Sequence, residues 1–159
     1  MNSSIKIKPT QEEKDIEKCA LLMSRSEPWV TLQRNYEKCL KSLNGDITEI
    51  YLITDNNEFI GFAALQMKGV LRGYIQTICI HPEFRNIGIG TMIIKYCEEL
   101  ILNISPNVFI CFSSFNEDAG KLYQKLGYEK AGEFKNMIIQ GHSEILLRKT
   151  IGTYNDFYK

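Results

Sequence analysis

Hydrophobic positions along the chain follow two repeats, one of about two residues, typical of strands, and one of about 3.6 residues, typical of helices. Isoleucine and lysine alternate over residues 5–8 as in a short edge strand, and Pro9 is expected to end it. A continuous apolar run at 108–112 has the character of a buried strand. The predicted strands are residues 5–8, 50–54, 59–67, 74–80, 108–112, 128–134 and 143–149.

Two helices are predicted before the second strand. The first is expected to start at a capping box formed by Thr10 and Glu13. The second is expected to follow Pro28, to place Leu32 and later apolar residues on one face, and to stop at Gly45.

Two further helices are predicted in the second half of the chain. The pattern changes from the strand repeat to the helical repeat at Gly88, and the helix that follows is the cleanest amphipathic segment. Asn116 is a good N-cap for the last helix, and Gly127 has the position of its stop. The order β-α-α-β-β-β-α-β-α-β-β predicts one mixed α/β domain.

Length and charge limit the organisation and the partners. With 159 residues and no linker, the chain is expected to form one domain over 1–150 and a tail at 151–159. The tail has no clear period, so docking on a partner subunit and a loose tail both remain open. Basic and acidic residues number nineteen each, which gives no general attraction for nucleic acid or a membrane surface.

Targeting signals and cysteine spacing indicate the compartment. Residues 1–6 lack the apolar stretch of a secretory leader, and no run approaches the roughly 18–20 apolar residues that span a bilayer. The five cysteines are widely spaced and none forms a CxxC pair, which disfavours a metal site and disulfides. A reducing compartment, the cytoplasm, is therefore expected.

The segment from Ile78 to Gly90 carries the candidate chemistry. A strand runs into His81-Pro82, a short loop follows, and Gly88 and Gly90 open a long helix. Free backbone N–H groups at a helix start bind anions, and Arg85 could add charge-assisted hydrogen bonds. The GxxxxGK[ST] and GxGxxG phosphate-binding motifs are both absent.

Two motifs resemble those of a known family. Arg85-x-x-Gly88-x-Gly90, after the strand that ends in His81-Pro82, resembles the acyl-CoA signature of the GNAT superfamily of N-acyltransferases. Asn116, Ala119 and the run Leu-Tyr-Gln-Lys-Leu-Gly-Tyr at 122–128 are similar to the family's second segment. The two motifs lie in the family's order and cover roughly residues 74–134.

The resemblance implies a fold and a reaction. The expected fold is a GNAT-like α/β (α+β) domain: a twisted, mixed, mostly antiparallel sheet of about seven strands, one central parallel pair and about four flanking helices. The implied co-substrate is acetyl-CoA, whose thioester an amine attacks directly, and no metal is implied. The residues that the resemblance assigns to acetyl-CoA are Ile78, Ile80, Arg85, Asn86, Ile87, Gly88, Ile89, Gly90, Thr91, Asn116 and Tyr123.

Individual roles follow from the same resemblance. A backbone N–H near Ile80 would polarise the thioester carbonyl, and Asn116 would bind the pantetheine arm. Tyr123 would act as the general acid that faces the leaving sulfur. With ordinary pKa values near 10 and 8.5, full proton transfer to the thiolate is uphill by roughly 2 kcal/mol, so a hydrogen bond is expected to precede it.

The general base is not assigned by sequence. Cys111 stands where some relatives that acetylate protein N-termini have a glutamate. Glu27, Glu49, Glu83 and His81 are candidates, and nothing in the sequence places one of them over the sulfur.

The predicted function is transfer of an acetyl group to a primary amine, of a small metabolite or of a protein N-terminus or lysine. The alternative is a non-catalytic acyl-CoA-binding module. Trp29 and Tyr36 could line the acceptor pocket or pack in the core. The one reason to expect a homodimer is that homodimers are common in the family that the chain resembles.

Overall fold

One twisted sheet carries helices on both of its faces in the computed structural model, which describes residues 4–158. Residues 1–3, where the sequence predicts no leader, and Lys159, the last residue of the tail, lie outside the described residues. The strands are β1 (Ile5–Thr10), β2 (Thr48–Asp55), β3 (Glu58–Gln66), β4 (Tyr74–Ile80), β5 (Asn107–Ser113), β6 (Glu129–Lys135) and β7 (Ser143–Thr150). The helices are α1 (Glu13–Ser24), α2 (Tyr36–Leu43), α3 (Ile89–Ile101), α4 (Glu117–Lys125) and α5 (Tyr154–Phe157).

The sheet has seven strands in the order β1-β2-β3-β4-β5-β7-β6. Neighbours pair antiparallel except β4 and β5, which form the central parallel pair. The predicted mixed, mostly antiparallel sheet is therefore confirmed. Helices α1 to α4 are the four predicted helices, and α5 adds one short turn.

Two hydrophobic cores hold the helices to the sheet. Helices α1 and α2 cover one face with residues such as Cys19, Met23 and Leu43, and this face is called the α1–α2 face below. Helix α3 fills the other face with Ile93, Ile101 and their neighbours, and α4 packs beside it; this face is called the α3–α4 face. Side chains of a strand alternate between the two faces, which fixes which strand residues can meet.

Three predicted boundaries are wrong. Pro9 does not end β1: it pairs opposite Tyr51, which an edge strand tolerates because the missing N–H can face solvent. Thr10 makes no capping box; it still belongs to β1, and its hydroxyl donates to Asp15 at 2.8 Å.

The second helix starts at Tyr36 and not after Pro28. Gln33 has a φ of 54°, in the left-handed region that interrupts a helix. Asn35 then caps the new helix, since its side chain accepts a hydrogen bond from the Lys38 N–H. Residues before it form a turn-rich segment between α1 and α2, and Leu32 is nevertheless buried there.

A bulge in β4 separates the two central strands. Beside β5, only Tyr74 and Ile75 of β4 are paired, and the register between β3 and β4 slips at the next residue, Gln76. The Gln76 side chain accepts from Gln66 at 3.0 Å and donates to the Ser42 carbonyl of α2 at 2.9 Å. Because a bulge bends its strand, β4 leaves β5 at this point and a gap opens through the sheet.

One buried carboxylate, that of Glu98, anchors helix α3 to the sheet. Glu98 accepts a hydrogen bond from the Tyr128 hydroxyl at 2.9 Å and forms an ion pair with Lys149 of β7 at 2.9 Å. Burial and the Glu98 charge both raise the pKa of Tyr128, so this phenol stays a donor. The contacts hold the last turns of α3 to β7 and to the residue before β6.

The tail folds back onto its own chain as far as it is described. The Tyr154 hydroxyl lies 3.2 Å from the Ser105 hydroxyl, and the Tyr158 hydroxyl accepts from Arg72 at 2.7 Å. The Arg72 guanidinium also lies over the Tyr154 ring at 4.5 Å. Among residues 4–158, no helix has the length and apolar character needed to cross a bilayer.

Gly61 of β3 gives a direct test of the close contact between β3 and β4. A Cβ at this position would lie 2.5 Å from the Cys79 carbonyl oxygen, so Gly61→Ala must push β4 away. We expect a loss of about 1–3 kcal/mol in the free energy of unfolding, measured by urea denaturation.

Gly132→Ala is the matched control, since no atom of the described residues lies within 4 Å of its Cβ position. Equal urea midpoints for the two variants would contradict the contact.

Candidate functional site

The gap between β4 and β5 leaves backbone groups of β4 without strand partners. The His81 N–H donates to the Ile60 carbonyl of β3 at 2.8 Å. Backbone groups of successive residues in a strand point to opposite edges, so every second residue before His81 also points toward β3. By the same alternation, the N–H groups of Ile78 and Ile80 point to the other edge, where β5 has already diverged. Among the described residues these N–H groups have no acceptor, so they are suited to the carbonyl oxygens of an extended ligand arm.

Arg85 lies beside the end of β4, on the edge that faces the gap. Its Nε donates to the Ile80 carbonyl at 2.8 Å, so the strand end and the loop after it are held together. The same residue lines the cavity described below, which leaves guanidinium charge for an anion. Arg85 thus has a structural contact with the end of β4 that the sequence does not reveal.

The loop before α3 presents backbone donors in a row. Asn86 and Gly88 have φ angles of 60° and 87°, and Gly88 is the N-cap of α3. Within residues 4–158, none of the amide N–H groups from 86 to 91 donates a hydrogen bond. Such a row at the positive end of a helix is suited to a phosphate or pyrophosphate.

The loop side chains differ in their surroundings. Ile87 is exposed, whereas the Ile89 side chain is buried in the core of the α3–α4 face. Ile89 can therefore offer only its backbone N–H to a ligand. Asn86, Ile87, Gly88, Ile89 and Thr91 do not line the cavity, but they form the loop and the first turn beside Gly90, which does.

A cavity of about 360 Å³ occupies the gap and reaches both faces of the sheet. Six of the residues predicted from sequence line it together: Ile78, Ile80, Arg85, Gly90, Asn116 and Tyr123. On the α1–α2 face it is bordered by the turn-rich segment, with Glu27, Trp29 and Leu32. Two molecules could therefore approach the gap from opposite faces and meet inside the sheet.

Tyr123 lies on the α3–α4 side of the gap. Its ring packs edge-on against Phe112 of β5 at 6.4 Å between centroids, and its hydroxyl makes no hydrogen bond within the described residues. Burial, with a smaller contribution from Cys111, raises the pKa of Tyr123 to about 12. The phenol is thus a protonated donor at neutral pH. Its pKa differs more from that of a thiol than the ordinary tyrosine pKa near 10 does.

Asn116 precedes α4 in the N-cap position, but its side chain caps nothing. The Asn116 N–H donates to the Ser113 carbonyl at 2.7 Å, which fixes the turn after β5. Its amide side chain faces the cavity without a partner in the described part of the chain. The predicted N-cap position is therefore confirmed, but the side chain makes no capping hydrogen bond and is available to a ligand.

A group of titratable residues stands on the other side of the gap. Glu144 of β7 accepts a hydrogen bond from the Ser113 hydroxyl at 2.6 Å and is only 8% exposed. Tyr74 and Cys111 line the cavity near it. Burial raises the pKa of the Cys111 thiol, although the Tyr74 hydroxyl opposes the shift, so Cys111 is a neutral thiol and a poor base.

The four base candidates from the sequence differ in whether they line the cavity. Only Glu27 lines the cavity, and its carboxylate accepts from the Thr31 N–H and hydroxyl at 3.1 and 3.0 Å. Glu49 accepts from Tyr51 outside the cavity, and His81 and Glu83 are beside each other at 3.7 Å, also outside it.

Sequence reasoning missed Glu144. A carboxylate that opens the apolar run Ile145 to Leu147 is the signal that could have found it, because such a residue needs a buried partner. Of the two aromatic candidates, Trp29 lines the cavity and Tyr36 packs in the core of the α1–α2 face. Within residues 4–158, no three His, Cys, Asp or Glu side chains are grouped to hold a metal ion.

The fold is shared with solved structures of low sequence identity. A GNAT family acetyltransferase from Elizabethkingia anophelis, solved with acetyl-CoA bound, is 24% identical; the match covers 94% of this chain and 100% of that one, with a TM-score of 0.69. The ribosomal-protein-S18-alanine N-acetyltransferase from Escherichia coli is 17% identical over 94% and 95% of the two chains, with a TM-score of 0.73.

A variant of the spermidine N-acetyltransferase from Vibrio cholerae is 16% identical over 99% and 100% of the two chains, with a TM-score of 0.70. The family model described as "Acetyltransferase (GNAT) family" matches residues 12–128, which hold both sequence motifs and most of the cavity wall. The chain therefore belongs to the GNAT family of acetyltransferases.

Proposed function

We propose that this protein transfers the acetyl group of acetyl-CoA to a primary amine at the gap between β4 and β5. The observation that carries the proposal is the cavity through the sheet, with free backbone donors on one side and an opening on the other. Family membership supports the acetyltransferase class, and the acceptor and the residue roles are our own inference.

The α3–α4 side of the gap fits acetyl-CoA. The amides of residues 86–91 and Arg85 would hold its pyrophosphate, and the N–H groups of Ile78 and Ile80 would receive the arm. Asn116 would bind the arm from the opposite wall. When bound, acetyl-CoA supplies a thioester carbonyl that an amine can attack without a covalent enzyme intermediate.

Tyr123 is suited to the departing sulfur. Its side chain is half-buried beside the gap and its hydroxyl has no partner among the described residues, so a hydrogen bond to a developing thiolate is stronger there than in water. With a pKa of about 12, it holds its proton until negative charge has formed on the sulfur. We therefore propose a donor that stabilises the leaving group first and transfers a proton only late, if at all.

The opening on the α1–α2 face supports a preference for the acceptor. Trp29, Leu32 and Ile138 are apolar, and Glu27 and Glu144 are the two carboxylates among the described residues of the wall. A polyamine would need several carboxylates, one for each ammonium group. An acceptor with one amine beside an apolar group, such as a peptide N-terminus or an arylalkylamine, fits better.

The second candidate function is acyl-CoA binding without turnover. The neutral Cys111 thiol at the place of a relative's glutamate favours it. Release of CoA thiol with 2-phenylethylamine, spermidine or an alanine-initiated peptide would support the enzyme. Binding of acetyl-CoA with no thiol release from any of them would support the second candidate.

The compartment and the assembly remain predictions. The five free cysteines fit a reducing compartment such as the cytoplasm. A homodimer is kept as a possibility that light scattering can decide.

Arg85→Ala tests the acetyl-CoA side. We expect acetyl-CoA to bind the unmodified protein and the Kd to rise about tenfold in the variant, because one charge-assisted hydrogen bond is worth about 1.4 kcal/mol or more. Isothermal titration measures both.

Arg25→Ala is the control, since Arg25 is exposed at the end of α1, away from the cavity. An equal Kd in the two variants would contradict the assignment of Arg85.

Tyr123→Phe tests the donor to the sulfur. We expect kcat to fall about 10–100-fold with little change in the acetyl-CoA Kd, because a hydrogen bond to a charged group contributes about 1.5–3 kcal/mol. Since the pKa of Tyr123 is about 12, the ratio of the two rates should stay constant between about pH 6 and about pH 10.

Tyr96→Phe is the matched control, a half-buried tyrosine of α3 outside the cavity. Undiminished kcat in Tyr123→Phe would remove the role of this hydroxyl.

A further inference from the structure

The proposed reaction needs a proton acceptor that the described mechanism has not supplied. A primary ammonium group is protonated at neutral pH and must lose a proton before its nitrogen can attack a carbonyl. The neutral Cys111 is unsuited to this task, and Glu27 lies on the exposed turn-rich segment, bonded to Thr31. One carboxylate of the cavity wall, that of Glu144, is both buried and incompletely bonded.

The Glu144 carboxylate is held by one oxygen and open at the other. Oε1 accepts from the Ser113 hydroxyl at 2.6 Å, and Ser113 is itself 1% exposed, so the contact is shielded from water. Oε2 makes no hydrogen bond or ion pair within residues 4–158. Because Glu144 lines the cavity, its free oxygen is available to a molecule that enters the gap.

Strand register places Glu144 on the face from which an acceptor would enter. Glu144 pairs with Ser113, and Cys111 with Leu146, so Glu144 and Cys111 are diagonal neighbours on the same face. Ile145 and Leu147 pack in the core of the α3–α4 face, which puts Glu144 on the α1–α2 face. The carboxylate therefore lies on the opposite face of the sheet from Tyr123, and both side chains line the same cavity.

We propose that Glu144 is a catalytic residue of the transfer, which binds the acceptor ammonium group at Oε2 and takes its first proton. The inference rests on the proposed function. The nitrogen then forms the C–N bond to the acetyl carbon as the C–S bond breaks. The sulfur leaves beside Tyr123 and receives the second proton of the nitrogen, and Glu144 returns the first proton to water.

The surroundings of Glu144 make its carboxylate a stronger base than an exposed one. Burial raises its pKa above the ordinary value, while the Ser113 hydrogen bond and His142 oppose the shift. The titratable groups that face it are Tyr74 of β4, Cys111 of β5 and His142 before β7. From β6, the uncharged Phe134 lies opposite Glu144.

Glu144→Gln is the direct test, with the amine that the unmodified protein acetylates fastest among the three named above. We expect kcat/KM at neutral pH to fall at least about 100-fold and the acetyl-CoA Kd to stay the same. The loss should shrink as pH rises and the amine becomes neutral without help. Glu129→Gln, on the exposed part of β6, is the matched control and should keep full activity.

The outcomes separate this inference from the function on which it rests. Unchanged kcat/KM in Glu144→Gln, or a loss that is the same at every pH, would overturn the role of Glu144 and leave the acetyltransferase standing. Failure of the unmodified protein to release thiol with any of the amines would overturn both.

Ser113→Ala supplies a second test should Glu144→Gln fail to fold. Loss of the Ser113 hydroxyl raises the pKa of Glu144, and a base acts only above its pKa, so the acid limb of kcat/KM should move to higher pH. If Ser113→Ala moves the acid limb in the same direction in a His142→Gln background, His142 is excluded as the source of that movement. An acid limb that does not move in Ser113→Ala would contradict the proposal.

Discussion

The structure depends on one interrupted strand pairing. Parallel hydrogen bonds between β4 and β5 stop after Ile75, because the bulge at Gln76 bends β4 away while β5 stays paired with β7 along its whole length. Unpaired backbone groups inside a sheet are costly unless water or a ligand satisfies them. The bulge is nevertheless stabilised, since the Gln76 side chain bonds to both β3 and α2.

That interruption gives the cavity its two entrances. A continuous sheet would separate the α3–α4 face, with the free loop amides and Tyr123, from the α1–α2 face, with Trp29 and Glu144. With the gap, groups from both faces border the same small volume, where low polarity raises the pKa values of Tyr123 and Glu144. As a consequence, we expect Tyr123 to keep its proton and Glu144 to accept a proton more readily than an exposed carboxylate does.

The sequence predicted the α3–α4 side of the site better than the other side. Arg85, Gly90 and Tyr123 lie in contiguous motifs, and a helix start or a helix face places such residues by local rules. The strand order and the parallel pair were also predictable, because the hydrophobic repeats mark each element and the family resemblance supplies the order.

Residues brought together across strands were not predictable in the same way. Glu144 reaches the cavity only through the β5–β7 register, which pairs it with a residue 31 positions earlier. The start of α2 was misplaced because the Gln33 backbone and the Asn35 cap override an apolar pattern that continues through Leu32. The separation of β4 from β5 depends on a bulge at Gln76, and a single glutamine in a sequence does not predict a bulge.

The measurement that tests the central claim most directly is residue-resolved amide hydrogen exchange with and without acetyl-CoA. If the gap and the loop bind the co-substrate, the N–H groups of Ile78, Ile80 and residues 86–91 gain protection, while the β1–β2 edge of the sheet keeps its exchange rates. Binding that leaves those amides unprotected, or that protects a different surface, would contradict the account.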